Sequence, residues 1–199
     1  MKRQLKKIVC LTLITSMILG QKTLNTTKNV TAKEKKDIKI AIDAGHQARG
    51  NFATEPVGPG SGTRKAKVAG GATGVASHVP EYKLTLAVSK KLQKELKARG
   101  YKVYMIRTKN NVNISNKKRA QLANKSGADI YIRIHADSSN SRAVTGASGL
   151  YPSKANKYVS KLSTKSKKLS SCLLKSYCKK TKIRNRGLVA RDDLTGTNW

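Results

Sequence analysis

Residues 38–47, "IKIAIDAGHQ", decide how this chain of 199 residues folds. Apolar side chains crowd the first half of the stretch instead of alternating with polar ones, which is typical of a strand buried on both faces of a parallel sheet. The apolar run stops at Asp43, and His46, one of only 3 histidines in the chain, stands where the strand gives way to a glycine-rich loop. We therefore predict a central strand that ends in a functional loop.

Two helix-and-strand units follow this strand. Residues 80–100, "PEYKLTLAVSKKLQKELKARG", have an apolar residue at every fourth position and end in a glycine, which predicts an amphipathic helix. Its inner face is expected to hold Leu84, Val88, Leu92 and Leu96. A strand in residues 101–108 comes next, and the unit recurs as a helix in residues 114–127 and a strand in residues 128–139. This alternation predicts an α/β fold, a single domain whose mostly parallel central sheet has helices on both faces.

The remaining stretches are a long loop and a third helix. Residues 48–79 contain seven glycines and show no periodicity, which predicts an irregular loop of functional importance. Residues 155–180 predict a helix with lysines on one side. Its apolar face is expected to hold Tyr158, Leu162, Leu169, Leu173 and Tyr177. Between residues 138 and 190 the chain has 13 Lys and Arg and no acid, so this surface is either a solvated face or a groove for a polyanion.

The first 32 residues have the composition of a secretory signal peptide and leader. Four cations precede an apolar stretch over residues 8–19, which is too short to span a bilayer comfortably, and a polar segment follows. A buried helix is the alternative interpretation. We expect residues 1–32 to be signal and leader, with cleavage after Gly20 or Ala32, and residues 33–199 to form the one folded domain. The mature protein would be secreted and would have no stable membrane span.

The charge balance is strongly basic. With 42 Lys and Arg against 10 Asp and Glu, the formal net charge is +32, so the surface should attract nucleic acid, anionic lipid or an acidic wall polymer. The chain has only 1 Trp, 1 Phe and 7 Tyr, and it shows no aromatic cluster of the kind that stacks single-stranded bases. A specific nucleic-acid partner is therefore disfavoured.

Two of the histidines stand near the carboxyl ends of predicted strands. His46 and His135 stand at carboxyl ends of parallel strands, and such ends meet at the ligand-binding edge of an open sheet. Glu81 begins the first long helix, at the far end of the glycine-rich loop. Two histidines and a glutamate match the three-ligand sets of catalytic Zn²⁺ sites. The alternatives are a histidine that is only a polar surface residue, a glutamate that only suits the helix dipole, and His78 as a rival ligand.

Four segments, in order along the chain, resemble one family of bacterial enzymes. Residues 40–47, 80–108, 113–139 and 185–199 are together similar to the zinc-dependent N-acetylmuramoyl-L-alanine amidases of the cell wall, often called amidase family 3. The resemblance covers nearly everything from Lys39 onward. Four ordered motifs are much more specific than any one of them.

The resemblance implies a peptidoglycan hydrolase. The zinc ligands of the family match His46, Glu81 and His135, and the reaction is hydrolysis of the amide bond between N-acetylmuramic acid and L-alanine by a zinc-activated water. In the family a catalytic glutamate follows the "TGTNW" segment. This chain ends at Trp199 and has no glutamate after Glu95, so we expect that residue to lie beyond Trp199 and residues 33–199 to form an amidase catalytic domain that is incomplete at its C-terminal end.

We compared three hypotheses for the function with these observations. We expect a secreted, monomeric zinc amidase that acts at the cell wall on peptidoglycan and contacts anionic wall polymers. The alternative is a truncated, catalytically impaired amidase that still binds zinc and the anionic wall. A cationic nucleic-acid-binding protein would share only the charge and would leave His46, Glu81 and His135 without a role.

Overall fold

The computed structural model of the protein describes residues 34–141 and 143–193. The predicted signal peptide and leader, residues 1–32, lie outside the described residues. The strands are β1 (Lys39–Ala44), β2 (Asn51–Pro56), β3 (Arg64–Val68), β4 (Lys102–Met105), β5 (Ile130–Ile134), β6 (Ala147–Pro152) and β7 (Asn185–Arg191). The α-helices are α1 (Glu81–Ala98), α2 (Asn116–Lys125) and α3 (Ser163–Thr181). Within the described ranges, none of these helices combines the length and apolar character that a membrane crossing requires.

The central sheet is three-stranded and parallel in the described part of the chain, with the order β4, β1, β5. Ile40 of β1 pairs with Val103 of β4 on one side and with Ile130 of β5 on the other. Every residue of β1 after Lys39 is buried. A middle strand covered on both faces needs an apolar run without alternation, which is the pattern that predicted it. The α/β class with a parallel sheet is confirmed.

Alternate residues of β1 pack into two different layers. Ile40 and Ile42 form a cluster with Leu86 of α1. Ala41 points to the other face and packs with Ala123 of α2. Helices therefore lie on both faces of the sheet, as predicted, and the core is divided between the two faces.

The predicted inner face of α1 is wrong over its first half. Leu84 and Val88 are 44% and 42% exposed, whereas Glu81, Thr85 and Ser89 are buried. The Glu81 carboxylate and the Thr85 hydroxyl hydrogen-bond to backbone groups of neighbouring loops, and these bonds turn the polar stripe inward. Apolar residues at every fourth position predict that a helix forms. They do not determine which face of the helix is buried when polar side chains on another face have buried hydrogen-bond partners.

Part of residues 48–79 is regular, which corrects the prediction of an irregular loop. Strands β2 and β3 form an antiparallel hairpin in which Glu55 lies opposite Lys65. The hairpin strands bury only Glu55 and Val68, so they carry almost no apolar periodicity. Glu55 Oε1 accepts a hydrogen bond from the backbone N–H of Lys117 at 3.0 Å, in the first turn of α2, where a carboxylate also suits the helix dipole. This contact anchors the hairpin to α2.

The last described strands form a separate pair. β6 and β7 are parallel to each other, and α3 packs against them. α3 begins at Ser163, later than predicted, because Asn156 Oδ1 accepts the backbone N–H groups of Tyr158 and Val159 and holds that stretch in a turn.

The predicted apolar face of α3 is also wrong. Leu173 and Tyr177 are 46% and 49% exposed, while the neighbouring Leu174 and Cys178 are buried. The buried residues of the helix are Ser163, Leu174 and Cys178, so the helix turns a face toward β6 and β7 that includes small and polar residues, and its apolar residues alone do not identify that face.

Candidate metal centre

Three side chains converge at the carboxyl edge of the central sheet. His46 follows β1, His135 follows β5, and Glu81 is the first residue of α1, which packs against β1. Their donor atoms all lie within 4.8 Å of one another. The structure thus brings together the three residues named from the sequence as ligands. His78, the rival, does not belong to this cluster in the described part of the chain.

Glu81 is a buried carboxylate with fixed partners. Its Oε2 accepts a hydrogen bond from the backbone N–H of Ala72 at 3.0 Å, and its Oε1 accepts one from Ala136 at 2.8 Å. Burial alone would raise the pKa of Glu81, but these hydrogen bonds and the nearby His46 hold it below its usual value of 4.5. The group therefore presents a negative charge in a fixed direction.

The ring of His46 is oriented by the loop after β3. His46 Nδ1 lies 3.0 Å from the carbonyl oxygen of Ala69, which can only accept, so Nδ1 carries a proton and donates it. In the neutral ring Nε2 then has a free lone pair, and it lies 3.2 Å from Glu81 Oε2, another acceptor. Two acceptors at this distance need a proton or a cation between them. This contact fits a metal ion.

His135 completes the cluster on its open side. Its Nδ1 lies 2.9 Å from Glu81 Oε1, and its side chain is 39% exposed, against 15% for His46 and 5% for Glu81. Burial and the positive charge of Arg133 lower the pKa of His135 below its usual 6.5. A neutral imidazole is the form that binds metal, and its exposure leaves the centre open to a substrate on this side.

Two glycines allow the close packing of the candidate ligands. A Cβ on Gly45 would lie 2.6 Å from Cε1 of His135 and 2.7 Å from the carbonyl oxygen of Ile134. A Cβ on Gly71 would lie 3.1 Å from Cβ of Glu81 and 3.2 Å from Cγ of His46. The centre therefore requires glycine, or a rearranged neighbour, at both positions.

Asp43 ties β1 to its neighbours beneath the centre. Its carboxylate is fully buried and pairs with Arg119 at 2.6 Å and with Arg133 at 2.7 Å, and the Tyr131 hydroxyl donates to it at 2.6 Å. Burial alone would raise the pKa of Asp43, but the two arginines and the Tyr131 hydrogen bond hold it below its usual 3.8. This network links the strand before His46 to α2 and β5.

Sequence reasoning missed the roles of two buried arginines. Arg107 and Arg119 are 2% and 0% exposed, and both contact the backbone next to His46. Among 42 Lys and Arg, charge alone gave no signal for either. The apolar neighbours of Arg107 in "MIRT" were the only hint. Burial, with a contribution from the charge of Arg119, lowers the pKa of Arg107 to about 10, so it remains protonated at neutral pH.

A sequence profile described as N-acetylmuramoyl-L-alanine amidase matches residues 40–199. The chain belongs to the N-acetylmuramoyl-L-alanine amidase family. It is therefore an enzyme of the class that hydrolyses an amide bond in peptidoglycan. A search of curated protein sequences gave no match.

Solved amidase structures share this fold. The amidase Ami1 from Mycobacterium smegmatis is 21% identical with a TM-score of 0.69, over 83% of this chain and 78% of that chain. An amidase from Clostridium difficile 630 is 28% identical with a TM-score of 0.61, over 81% and 74%. The catalytic domain of the amidase CwlV from Bacillus (Paenibacillus) polymyxa is 23% identical with a TM-score of 0.57, over 78% and 70%.

A groove of about 300 Å³ in this amidase is lined by one of the candidate ligands. Glu81 lies in its wall, between the loop that contains Val75 and Val79 and the segment that follows His135. Val75 is 87% exposed and Val79 is 40% exposed, so one side of the groove is apolar. The other side carries Asp137 and Ser138. The groove thus reaches the candidate metal centre at Glu81.

Proposed function

We propose that this amidase is zinc-dependent and that His46, Glu81 and His135 hold the Zn²⁺ ion. The observation that carries the proposal is the convergence of their donor atoms within 4.8 Å. Two histidines and one carboxylate form a donor set of catalytic zinc sites, in which a fourth position remains for water or substrate. The acceptor–acceptor contact between His46 Nε2 and Glu81 Oε2, at 3.2 Å, also supports a cation at this place.

Zn²⁺, when bound, would polarise the scissile carbonyl and make a water nucleophilic at neutral pH. The chain's own groups set the geometry in which this takes place. The backbone N–H groups of Ala72 and Ala136 fix the two oxygens of Glu81, and the Ala69 carbonyl fixes the rotation of His46. Partners of this kind orient the ligands of metal sites and raise their affinity.

We assign the groove beside Glu81 to the substrate. Its apolar side, with Val75, Val79 and Leu84, suits the methyl groups of the lactyl ether and of L-alanine. Its polar side, with Ser138 and Ser139, offers hydroxyl groups to the amides of the stem peptide. The amide bond between the two parts would then lie over the metal centre.

We also propose that the protein acts outside the cell as a monomer and that anionic wall polymers attract it. The net charge of +32 and the acid-free stretch between residues 138 and 190 support this attraction. A second cavity of about 380 Å³ is lined by Arg184, Asn185 and Arg186, together with residues 143–145. Guanidinium groups suit phosphate and carboxylate groups, which are the charges that such polymers carry.

Metal analysis tests the ligand assignment. Wild-type protein should hold about one zinc ion per chain, and His135→Ala should lose it because two ligands rarely retain catalytic zinc. The matched control is His78→Ala, which removes an exposed histidine outside the cluster and should leave the zinc content unchanged. Wild-type zinc content in His135→Ala would overturn the assignment.

Release of L-alanine amino termini from purified peptidoglycan tests the zinc dependence of the reaction. A chelator should abolish the release, and added Zn²⁺ should restore it. Release that a chelator leaves unchanged would contradict the proposal. Zinc binding with no release at all would instead favour the alternative, a protein that binds zinc and the anionic wall without cleaving it.

A further inference from the structure

Arg107 is a buried cation that contacts only neutral oxygens. It is 2% exposed, and no carboxylate pairs with it in the described part of the chain. A buried charge without a counter-ion is costly unless many hydrogen bonds surround it. Such a residue calls for an explanation beyond packing.

Four of the six hydrogen bonds that Arg107 donates go to residues near two of the candidate ligands, and the other two, from Nη1, go to its own loop at Lys109 and Asn110. On the strand side, Nε donates to the Ala44 carbonyl at 2.9 Å and Nη2 donates to the Gly45 carbonyl at 3.0 Å. On the helix side, Nη2 donates to the Tyr82 carbonyl at 2.8 Å. Gly45 is the residue before His46, and Tyr82 is the residue after Glu81. One rigid guanidinium thus joins the end of β1 to the first turn of α1.

Thr85 closes the same connection. Its hydroxyl donates to the Gly45 carbonyl at 2.8 Å and accepts from Arg107 Nη2 at 3.2 Å. The first turn of α1 is therefore tied to Gly45 both directly and through Arg107. Thr85 is 1% exposed, so no solvent competes for these bonds.

Arg119 holds the same backbone from the α2 side. It donates to the Ala44 carbonyl at 3.0 Å and to the His46 carbonyl at 2.9 Å. The carbonyls of three successive residues, 44 to 46, therefore all accept from a guanidinium. His46 has a φ of 58°, in the left-handed region that a non-glycine residue seldom adopts. The arginines supply hydrogen bonds that favour this unusual conformation.

We propose that Arg107 is a positioning residue of the metal centre, which sets the separation between His46 and Glu81. The proposal rests on the proposed function, in which these two residues bind zinc. Arg107 touches neither substrate nor metal in this role. It acts by holding the backbone of both ligands to one rigid group.

Lysine is the informative replacement. Arg107→Lys keeps the positive charge but replaces a planar fork of donors with one nitrogen, which cannot reach Ala44 and Tyr82 in the same geometry. Changes to groups that orient metal ligands typically reduce metal affinity about 10–100-fold. We expect Arg107→Lys to fall in that range, and Thr85→Val, which removes only the hydroxyl link, to show a smaller loss.

The experiment measures zinc affinity by competition with a chromogenic chelator, and thermal unfolding of the metal-free proteins. Ile40→Ala is the matched control, because Ile40 is buried in the core at the end of β1 remote from His46. This variant should unfold at lower temperature with unchanged zinc affinity. A loss of affinity in Arg107→Lys beyond that of an equally destabilised Ile40→Ala supports positioning. Equal zinc affinities in wild type and Arg107→Lys would refute it. If Arg107→Lys does not fold, Thr85→Val takes its place: a smaller loss of zinc affinity supports the proposal, and an unchanged affinity refutes it.

A metal-free measurement separates this proposal from the zinc assignment. The ring centroids of His46 and His135 lie 4.7 Å apart, so the wild-type protein should give a nuclear Overhauser effect between these rings without zinc. Positioning predicts that this signal weakens in Arg107→Lys and persists in Ile40→Ala. If wild type binds no zinc but the signal behaves in this way, the zinc assignment fails and the positioning role stands. An unchanged signal in Arg107→Lys counts against the role itself.

Discussion

Replacing Gly71 with alanine places a methyl group between two candidate zinc ligands. The new Cβ would lie 3.1 Å from Cβ of Glu81 and 3.2 Å from Cγ of His46, against an ordinary contact of at least 3.4 Å. Unless the loop itself shifts, Glu81 must move away from the new Cβ by about 0.3 Å and His46 by about 0.2 Å to reach ordinary contact. Metal sites hold ligand distances to within about 0.2 Å, so this displacement is enough to matter. We expect zinc affinity to fall about tenfold, the lower end of the effects seen when ligand orientation is disturbed.

Two other glycines complete the series. Gly45→Ala would place its Cβ 2.6 Å from the His135 ring and should reduce zinc affinity more than Gly71→Ala does. Gly70→Ala is the matched control, since nothing lies within 4 Å of its new Cβ. None of the three glycines has a positive φ, so a left-handed conformation does not contribute strain at any of them, although alanine at position 45 also approaches the carbonyl oxygen of Ile134.

The assay is competition for zinc with a chelator, accompanied by thermal unfolding of the metal-free proteins. The expected order of affinity is Gly70→Ala, equal to wild type, then Gly71→Ala, then Gly45→Ala. Equal zinc affinities for Gly70→Ala and Gly71→Ala would show that the ligands relax freely or that the metal does not lie between His46 and Glu81.

Three further predictions concern charge, pH and packing. Sedimentation with purified walls should decrease steeply between 0.1 and 1 M salt, because the screening length falls from about 10 to 3 Å; indifference to salt would exclude charge as the attachment force. The ion pairs of Asp43 stabilise the fold above its unfolded-state pKa, and this stability is lost as pH falls through the lowered folded-state pKa. Asp43→Asn should thus lower the free energy of unfolding by about 3–5 kcal/mol at pH 7 and weaken its decrease with falling pH in the acid range. An unchanged decrease in the variant would contradict this. Leu86→Ala should lower the free energy of unfolding in denaturant by about 2–5 kcal/mol and Leu84→Ala by less than about 1, whereas equal losses would reject the observed rotation of α1.

The central part of the fold could be predicted because its pattern is dictated by burial. A strand covered on both faces is apolar except where a buried polar side chain has partners, as Asp43 does, and β1 has that apolar character from Ile40 to Ile42. The hairpin β2–β3 could not be predicted in the same way, because it buries little more than Glu55 and Val68. A strand that buries few side chains has almost no hydrophobic pattern by which the sequence could predict it.

The convergence of the three candidate ligands was predictable, and the groups that orient them were not. Strand ends and a helix start pointed to His46, Glu81 and His135, and the structure places them together. The groups that orient them are backbone N–H and carbonyl groups of Ala72, Ala136 and Ala69, and any residue type carries these. The sequence shows the side chains that could bind a metal. The backbone groups that orient these side chains can be identified only from the positions of the loops in the structure.

The left-handed backbone of His46 places stability and function in conflict at one position. An L-residue in this conformation is less stable than glycine by roughly 1 kcal/mol, so a glycine here would improve folding while removing a candidate ligand. A library selected for thermostability should enrich His46→Gly, and the same library selected for growth under wall turnover should eliminate it. The histidine would persist in a lineage only while catalysis is under selection, which makes position 46 an early marker of a descendant that has become a pseudoenzyme.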